Sequence, residues 1–172
     1  MIAVDTNLLV YAHRADAPQH RAALAALERL VTHGEPWAIP IPCATEFVSV
    51  LTRPALNIPA SPASAAFDAL DAWLSHPRCR LLVETAGHLR LFRALVERAA
   101  LVGRDVFDAR IAAICLEHDV AELWTSDRDF SGFPDLRTRD PLIPSLHEPI
   151  GVPYRAISSA RRARTTARSP GR

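Results

Sequence analysis

Short apolar runs that stop after three to five residues, with stretches of helical periodicity between them, leave this chain few folds to choose from. Ile2 to Asp5, the WAIP run at 37–40, RLLVE at 80–84 and ELWTS at 122–126 read as strands. Between the first two, PQHRAALAALERLVTHG carries Leu24, Leu27 and Val31 at helical spacing, with Pro18 and Gly34 marking its ends. PCATEFVSVLTRP reads as a helix closed by Pro54 and Ala63 to Leu74 as another. HLRLFRALVERAALV reads as a long amphipathic helix, and DVFDARIAAICLEHD as one more. PALNIPASPAS reads as a loop, and LRTRDPLI supplies an edge strand before Pro141. Strands joined through helices pair in parallel, so the expected fold is α/β, a mostly parallel central sheet flanked by helices on both faces. The working crevice of such a sheet lies outside the carboxyl ends of its strands, where Asp5 and Asp127 fall.

A chain of 172 residues suits one domain with a single core. We expect the domain to span residues 1–150, because periodicity stops near Gly151 and ISSARRARTTARSPGR reads as a basic, disordered tail over 151–172. Charge divides the same way: six of the 20 arginines follow Glu148, the last acid, and the fourteen before it face nineteen acids, a body at −5. No lysine occurs anywhere. That excludes a Walker-type phosphate loop, a Schiff-base lysine and the lysine that aspartate-nucleophile phosphatases require. Six scattered glycines offer no dinucleotide fingerprint. Cys43, Cys79 and Cys115 are too far apart for a disulfide framework or a zinc site and read as buried small hydrophobes. No run is long enough to span a membrane, and the apolar start, broken by Asp5 and Asn7, makes a poor signal peptide; the expected compartment is the cytoplasm.

Four carboxylates occupy positions that composition does not explain. Asp5 ends the first strand, Glu46 sits in the apolar helix TEFVSVL, Asp108 lies early in DARIAAICL, and Asp127 follows ELWTS. In the proposed sheet the first and last converge directly, and the two helical ones are able to face the same cleft. Two like charges about 4 Å apart repel by roughly 4 kcal/mol at an effective dielectric of 20. A hard divalent cation removes that penalty, and all-oxygen ligation suits magnesium or manganese rather than zinc. Carboxylate-held metals are a known solution to phosphodiester cleavage. Each residue alone also has a structural reading. Asp5 or Asn7 suits a helix N-cap, Glu46 an exposed helical position, Asp105 the cap of its helix, and Asp108 a place where a carboxylate favours the helix dipole. Arg128 and Asp129 suit a solvated turn.

Taken together, MIAVDTNLLVYA, the TEF helix near 45, VFDARIAAICLEHDVAELWTSDRDFSGFP and LRTRDPL resemble the PIN domain, specifically the VapC-type ribonuclease toxins of bacterial toxin–antitoxin pairs. The resemblance covers residues 1 to 145 in the family's order. It implies that Asp5, Glu46, Asp108 and Asp127 are the family's acidic quartet, holding Mg2+ or Mn2+ for endonucleolytic cleavage of RNA, with Asp5 and Asp108 the best-matched ligands. It also implies a homodimer and a cognate antitoxin that occupies the active-site groove. Thr6, Asn7, Thr125 and Ser126 are candidates for orienting the ligands or water, with turn and cap hydrogen bonding as the alternative. Arg104 stands where relatives often carry an asparagine, and Asp105 adds an acid whose place in the metal shell is open.

RNA would be held through its phosphates by arginine forks, with Arg14, Arg53, Arg110 and Arg128 as candidates beside the acids. At 6% aromatic content, base stacking is not expected to dominate. The seven histidines show no metal spacing and read as surface or capping residues. Two other functions compete. A phosphotransfer enzyme using Asp5 as nucleophile is opposed by the missing lysine and by Asn7 standing where a second acid is needed. A non-catalytic RNA-binding scaffold is opposed by the presence of all four acids.

Overall fold

The computed structural model describes residues 1–54 and 59–143. Five strands form one parallel sheet in the order β3-β2-β1-β4-β5: β1 (Ile2–Val4), β2 (Trp37–Pro40), β3 (Cys79–Leu82), β4 (Glu122–Trp124) and β5 (Thr138–Arg139). Six helices connect and flank it: α1 (Thr6–His13), α2 (His20–His33), α3 (Ile41–Thr52), α4 (Ala63–Leu74), α5 (His88–Ala99) and α6 (Asp105–Glu117). The expected α/β class with a parallel central sheet is therefore observed. The tail expected over 151–172 lies outside the described residues.

β1 is central, with Ala3 opposite Ala38 on one side and Leu123 on the other. The chain winds outward through β2 and β3 on one side and then returns to β4 and β5 on the other. The point where the direction of winding reverses, between β1 and β4, is where such sheets open a crevice. Ala3, Val4, Ala38, Ile39 and Leu123 are fully enclosed, as strands covered on both faces must be. α6 is buried along Ala109 and Ile111 to Cys115, the apolar run expected of a helix packed on all sides. All three cysteines are free and buried, as the sequence suggested.

Four local expectations are corrected. α2 forms as expected, but its inward face is Ala23, Ala26, Leu27 and Leu30, while Leu24 and Val31 are 39% and 44% exposed. Small alanines allow α1 and α2 to pack closely, so the larger residues turn outward. β3 spans Cys79–Leu82 rather than 80–84, because its partner β2 ends at Pro40, opposite Leu82, and offers nothing further to pair with. α5 stops at Ala99, with Ala100 left-handed at φ 50, short of the expected Val102. α6 begins at Asp105 with Arg104 as its cap residue, so Asp105 does not cap the helix through its side chain. Gly34 ends α2 at φ 74, a conformation glycine adopts freely, and a Cβ there would meet Arg78 at 3.4 Å.

Phe47 on α3 is fully buried and meets His13 of α1 and Trp73 of α4 edge-on, at ring-centroid distances of 5.7 and 5.3 Å. It therefore locks the helix that carries Glu46 against both neighbours. Phe47→Ala is expected to lower stability by about 3–5 kcal/mol, read from urea unfolding followed by circular dichroism.

Candidate active site

Asp5 is the first residue after β1, and its backbone N–H still donates to Trp124 of β4 at 3.0 Å. Its side chain then caps α1, with Oδ1 accepting from the Thr6 N–H at 2.7 Å. The cap reading and the site reading thus describe one residue. Oδ2 accepts from Asn7 Nδ2 at 2.7 Å and from Thr125 Oγ1 at 2.6 Å. Oδ1 also faces the Cys43 thiol, a weak donor at 3.6 Å. With 4% of its surface exposed, Asp5 is the one buried charged residue among the described residues. Burial raises its pKa, the Thr125, Thr6 and Cys43 hydrogen bonds lower it, and the Glu46 charge raises it; the net shift is upward.

Thr125 and Asn7 join the two strand ends. The Thr125 hydroxyl gives its one proton to Asp5 and accepts from Asn7 Nδ2 at 3.0 Å and the Asp127 N–H at 2.9 Å. Asn7 Oδ1 accepts from the Ser126 N–H at 3.3 Å. Thr6 reaches across to α3, donating to Glu46 Oε2 at 2.7 Å. Asp127 Oδ1 accepts from the Asp129 N–H at 2.9 Å, opening the short 3-10 turn Asp129–Gly132.

Asp108 differs from the rest. It lies half-buried in the first turn of α6, and no side-chain hydrogen bond supports it among the described residues. Desolvation first, then the charges of Asp127, Asp5, Asp129 and Asp105, push its pKa from 3.8 up to about 6. All of these acids and Glu46 line one open cleft of about 970 Å³, at the upper end of small-molecule sites and suited to an extended ligand.

The cleft brings together Asp5, Glu46, Asp108 and Asp127, the quartet expected from the sequence, along with Thr6, Asn7, Asp105 and Asp129. Of the four arginines, Arg53 and Arg110 line it, whereas Arg14 pairs with Asp16 at 3.4 Å and Arg128 does not line it. Arg110 is itself held by Glu84 through Nε and Nη2. Arg104 also lines the cleft, a position the sequence marked only as unusual. Tyr11, Cys43 and Phe107 were missed as neighbours of the site. Only Cys43 carried a signal, lying three residues before Glu46 on the same helix.

The donor set fits a hard cation: six carboxylates face three guanidiniums among the lining residues, and every candidate ligand atom is oxygen. Among the described residues no group of three or more His, Cys, Asp or Glu side chains is arranged to hold a metal ion by itself. Magnesium commonly needs only one or two carboxylates, with water in its other positions. Asp105, Asp108 and Asp129 accept no side-chain hydrogen bond among the described residues, and of these three only Asp108 is half-buried, whereas Asp5 already accepts from four donors.

The PIN domain family profile matches residues 2–136. The chain belongs to the PIN domain family. It is 38% identical over 148 residues to the VapC ribonuclease Mb2897 of Mycobacterium bovis, covering 86% of this chain and 99% of that protein. Ribonuclease VapC33 of Mycobacterium tuberculosis is 32% identical over 142 residues, covering 83% and 99% respectively. The fold matches that of VapBC2 from Rickettsia felis bound to a promoter DNA fragment, with a TM-score of 0.59, 22% identity, and 81% and 98% coverage. It also matches Mycobacterium tuberculosis VapC20, a sarcin-ricin loop cleaving toxin, with a TM-score of 0.56, 22% identity, and 76% and 93% coverage. No described helix of this PIN domain protein is long and apolar enough to cross a membrane.

Two measurements test the hydrogen-bond and charge arrangement. Thr125→Val strips one donor from Asp5 and leaves donors of Asn7 and Asp127 unpaired, and is expected to cost about 1–3 kcal/mol in denaturant unfolding. Asp108 binds its proton more tightly folded than unfolded, so its contribution is present below pH 3.8 and lost as pH rises through about 6. In chelator, the melting temperature of the native chain should therefore fall relative to Asp108→Asn between pH 4 and 6. Parallel profiles of the two proteins would contradict the assignment.

Proposed function

We propose that this PIN domain is a metal-dependent endoribonuclease, the toxin of a toxin–antitoxin pair, which hydrolyses RNA phosphodiester bonds. The observation that carries the proposal is Asp108, a half-buried carboxylate without a hydrogen-bond donor, set among like charges in an open cleft at the carboxyl ends of β1 and β4. Asp5, Glu46, Asp108 and Asp127 would hold Mg2+ or Mn2+. Such an ion, when bound, activates a water for attack on phosphorus and stabilises the leaving oxygen.

The chain's own groups do the remaining work. Asn7 and Thr125 fix the orientation of Asp5, and Thr6 fixes that of Glu46. Arg53 and Arg104 at the cleft wall take up phosphate charge that the acidic floor alone would repel, whereas Arg110 is already held by Glu84. In the reaction the water oxygen bonds to phosphorus, one ester P–O bond breaks, and the leaving oxygen gains a proton.

Inhibition by a cognate antitoxin follows the relatives, since solved structures of similar fold include toxin–antitoxin complexes. Homodimerisation in the cytoplasm completes the proposal, with the outward apolar residues of α5, such as Leu89, as supporting surface.

Purified protein should cut cellular RNA into discrete fragments with magnesium or manganese and leave it intact in chelator. Asp108→Ala and Asp127→Ala should each lower the rate by more than about 100-fold, exceeding what loss of a supporting group does. Cleavage indifferent to chelator would remove the metal. RNA binding without cleavage under every metal condition would leave a scaffold.

A further inference from the structure

Phe107 is 67% exposed, more than any other phenylalanine of the chain, and takes no part in the hydrophobic core. Phenylalanine is also a middling helix former, so neither packing nor helix propensity accounts for a bare ring in the first turn of α6. Its location is specific, because it lines the acidic cleft beside Asp108. Arg104 precedes it by three residues and Arg110 follows it by three, so all three side chains share one side of the helix and all three line the cleft. An uncharged aromatic face is thus bracketed by two guanidiniums at the rim of an acidic floor.

We propose that the Phe107 ring is a stacking face for one nucleobase of the RNA, positioned next to the reacting phosphate, with Arg104 receiving a backbone phosphate beside it. The inference rests on the nuclease reading of the cleft. A floor of carboxylates opposes a polyanion, so affinity has to come from the walls, and a ring gains it from any base without requiring charge. Stacking needs a base free of its own helix, so Phe107 favours nucleotides that are unpaired when bound. Arg104 beside the ring argues for nucleic acid over an apolar side chain of a partner protein, which would gain nothing from a neighbouring guanidinium.

The test uses the full chain and a short single-stranded oligoribonucleotide carrying 2-aminopurine near the cleaved bond. Binding is followed by fluorescence in an Asp108→Asn background, and cleavage in the otherwise native chain. The probe's fluorescence should change on binding, retain that change in Phe107→Trp and lose it in Phe107→Leu. Phe107→Leu should raise KM by about ten- to a hundredfold with little effect on kcat. Removing the stacked base from the substrate should impose the same loss on the native chain and no further loss on Phe107→Leu.

A native chain that cuts RNA while Phe107→Leu keeps an unchanged KM overturns the stacking role and leaves the nuclease standing. Fluorescence that depends on Phe107 without any cleavage under either metal removes the nuclease and keeps the stacking face. Absence of oligonucleotide binding, or equal fluorescence with and without the ring, overturns the proposal. So does weakened capture of a partner protein by Phe107→Leu with RNA handling intact, which would make Phe107 a protein contact.

Discussion

A carboxylate taken out of water needs donors on all sides, and the end of β1 supplies them to Asp5 from four residues. Those donors come from three separate parts of the chain: the start of α1, the first turn of α3 and the residue that follows β4. Meeting the demand of one side chain therefore fixes how the two central strand ends, α1 and α3 sit against each other. Thr125 carries this furthest, because its single hydroxyl serves Asp5, Asn7 and Asp127 together. Glu46 joins through Thr6, the residue whose N–H caps onto Asp5. The cleft is thus organised around a group that is itself nearly sealed from solvent.

Much of this was legible in the sequence, for identifiable reasons. Strand–helix alternation forces parallel crossovers, and that alone puts Asp5 and Asp127 at the same edge of the sheet. The four acids stood out because apolar surroundings make an acid conspicuous. What escaped depended on facing rather than on type. Leu24 and Val31 keep helical spacing yet turn outward, since Ala23 and Ala26 let α2 come closer than leucines would. Arg110 looked free for phosphate and is tethered to Glu84, 26 residues away, a pairing no local pattern announces. Phe107 was missed, because nothing local marks a phenylalanine that faces outward. The end of β3 was set by its neighbour Pro40 rather than by its own residues.

Asp5 and Asp108 carry the same functional group and are supported in opposite ways. Asp5 has four donors and almost no water; Asp108 has water on one side, four acidic neighbours and no donor. Protein hydrogen bonds compensate the first charge. Among the described residues nothing compensates the second except a proton, for which burial and the neighbouring charges raise its affinity. The arginines of the cleft cannot substitute, since Arg110 is held by Glu84 and a carboxylate paired to arginine would have been driven the other way. An uncompensated carboxylate is costly in a fold that satisfies its other buried acid so fully. It is retained at low cost if a cation arrives with the substrate or before it, because the repulsion that destabilises the empty cleft then becomes attraction for the ion. On that argument Asp5 builds the site and Asp108 is the group left open for chemistry.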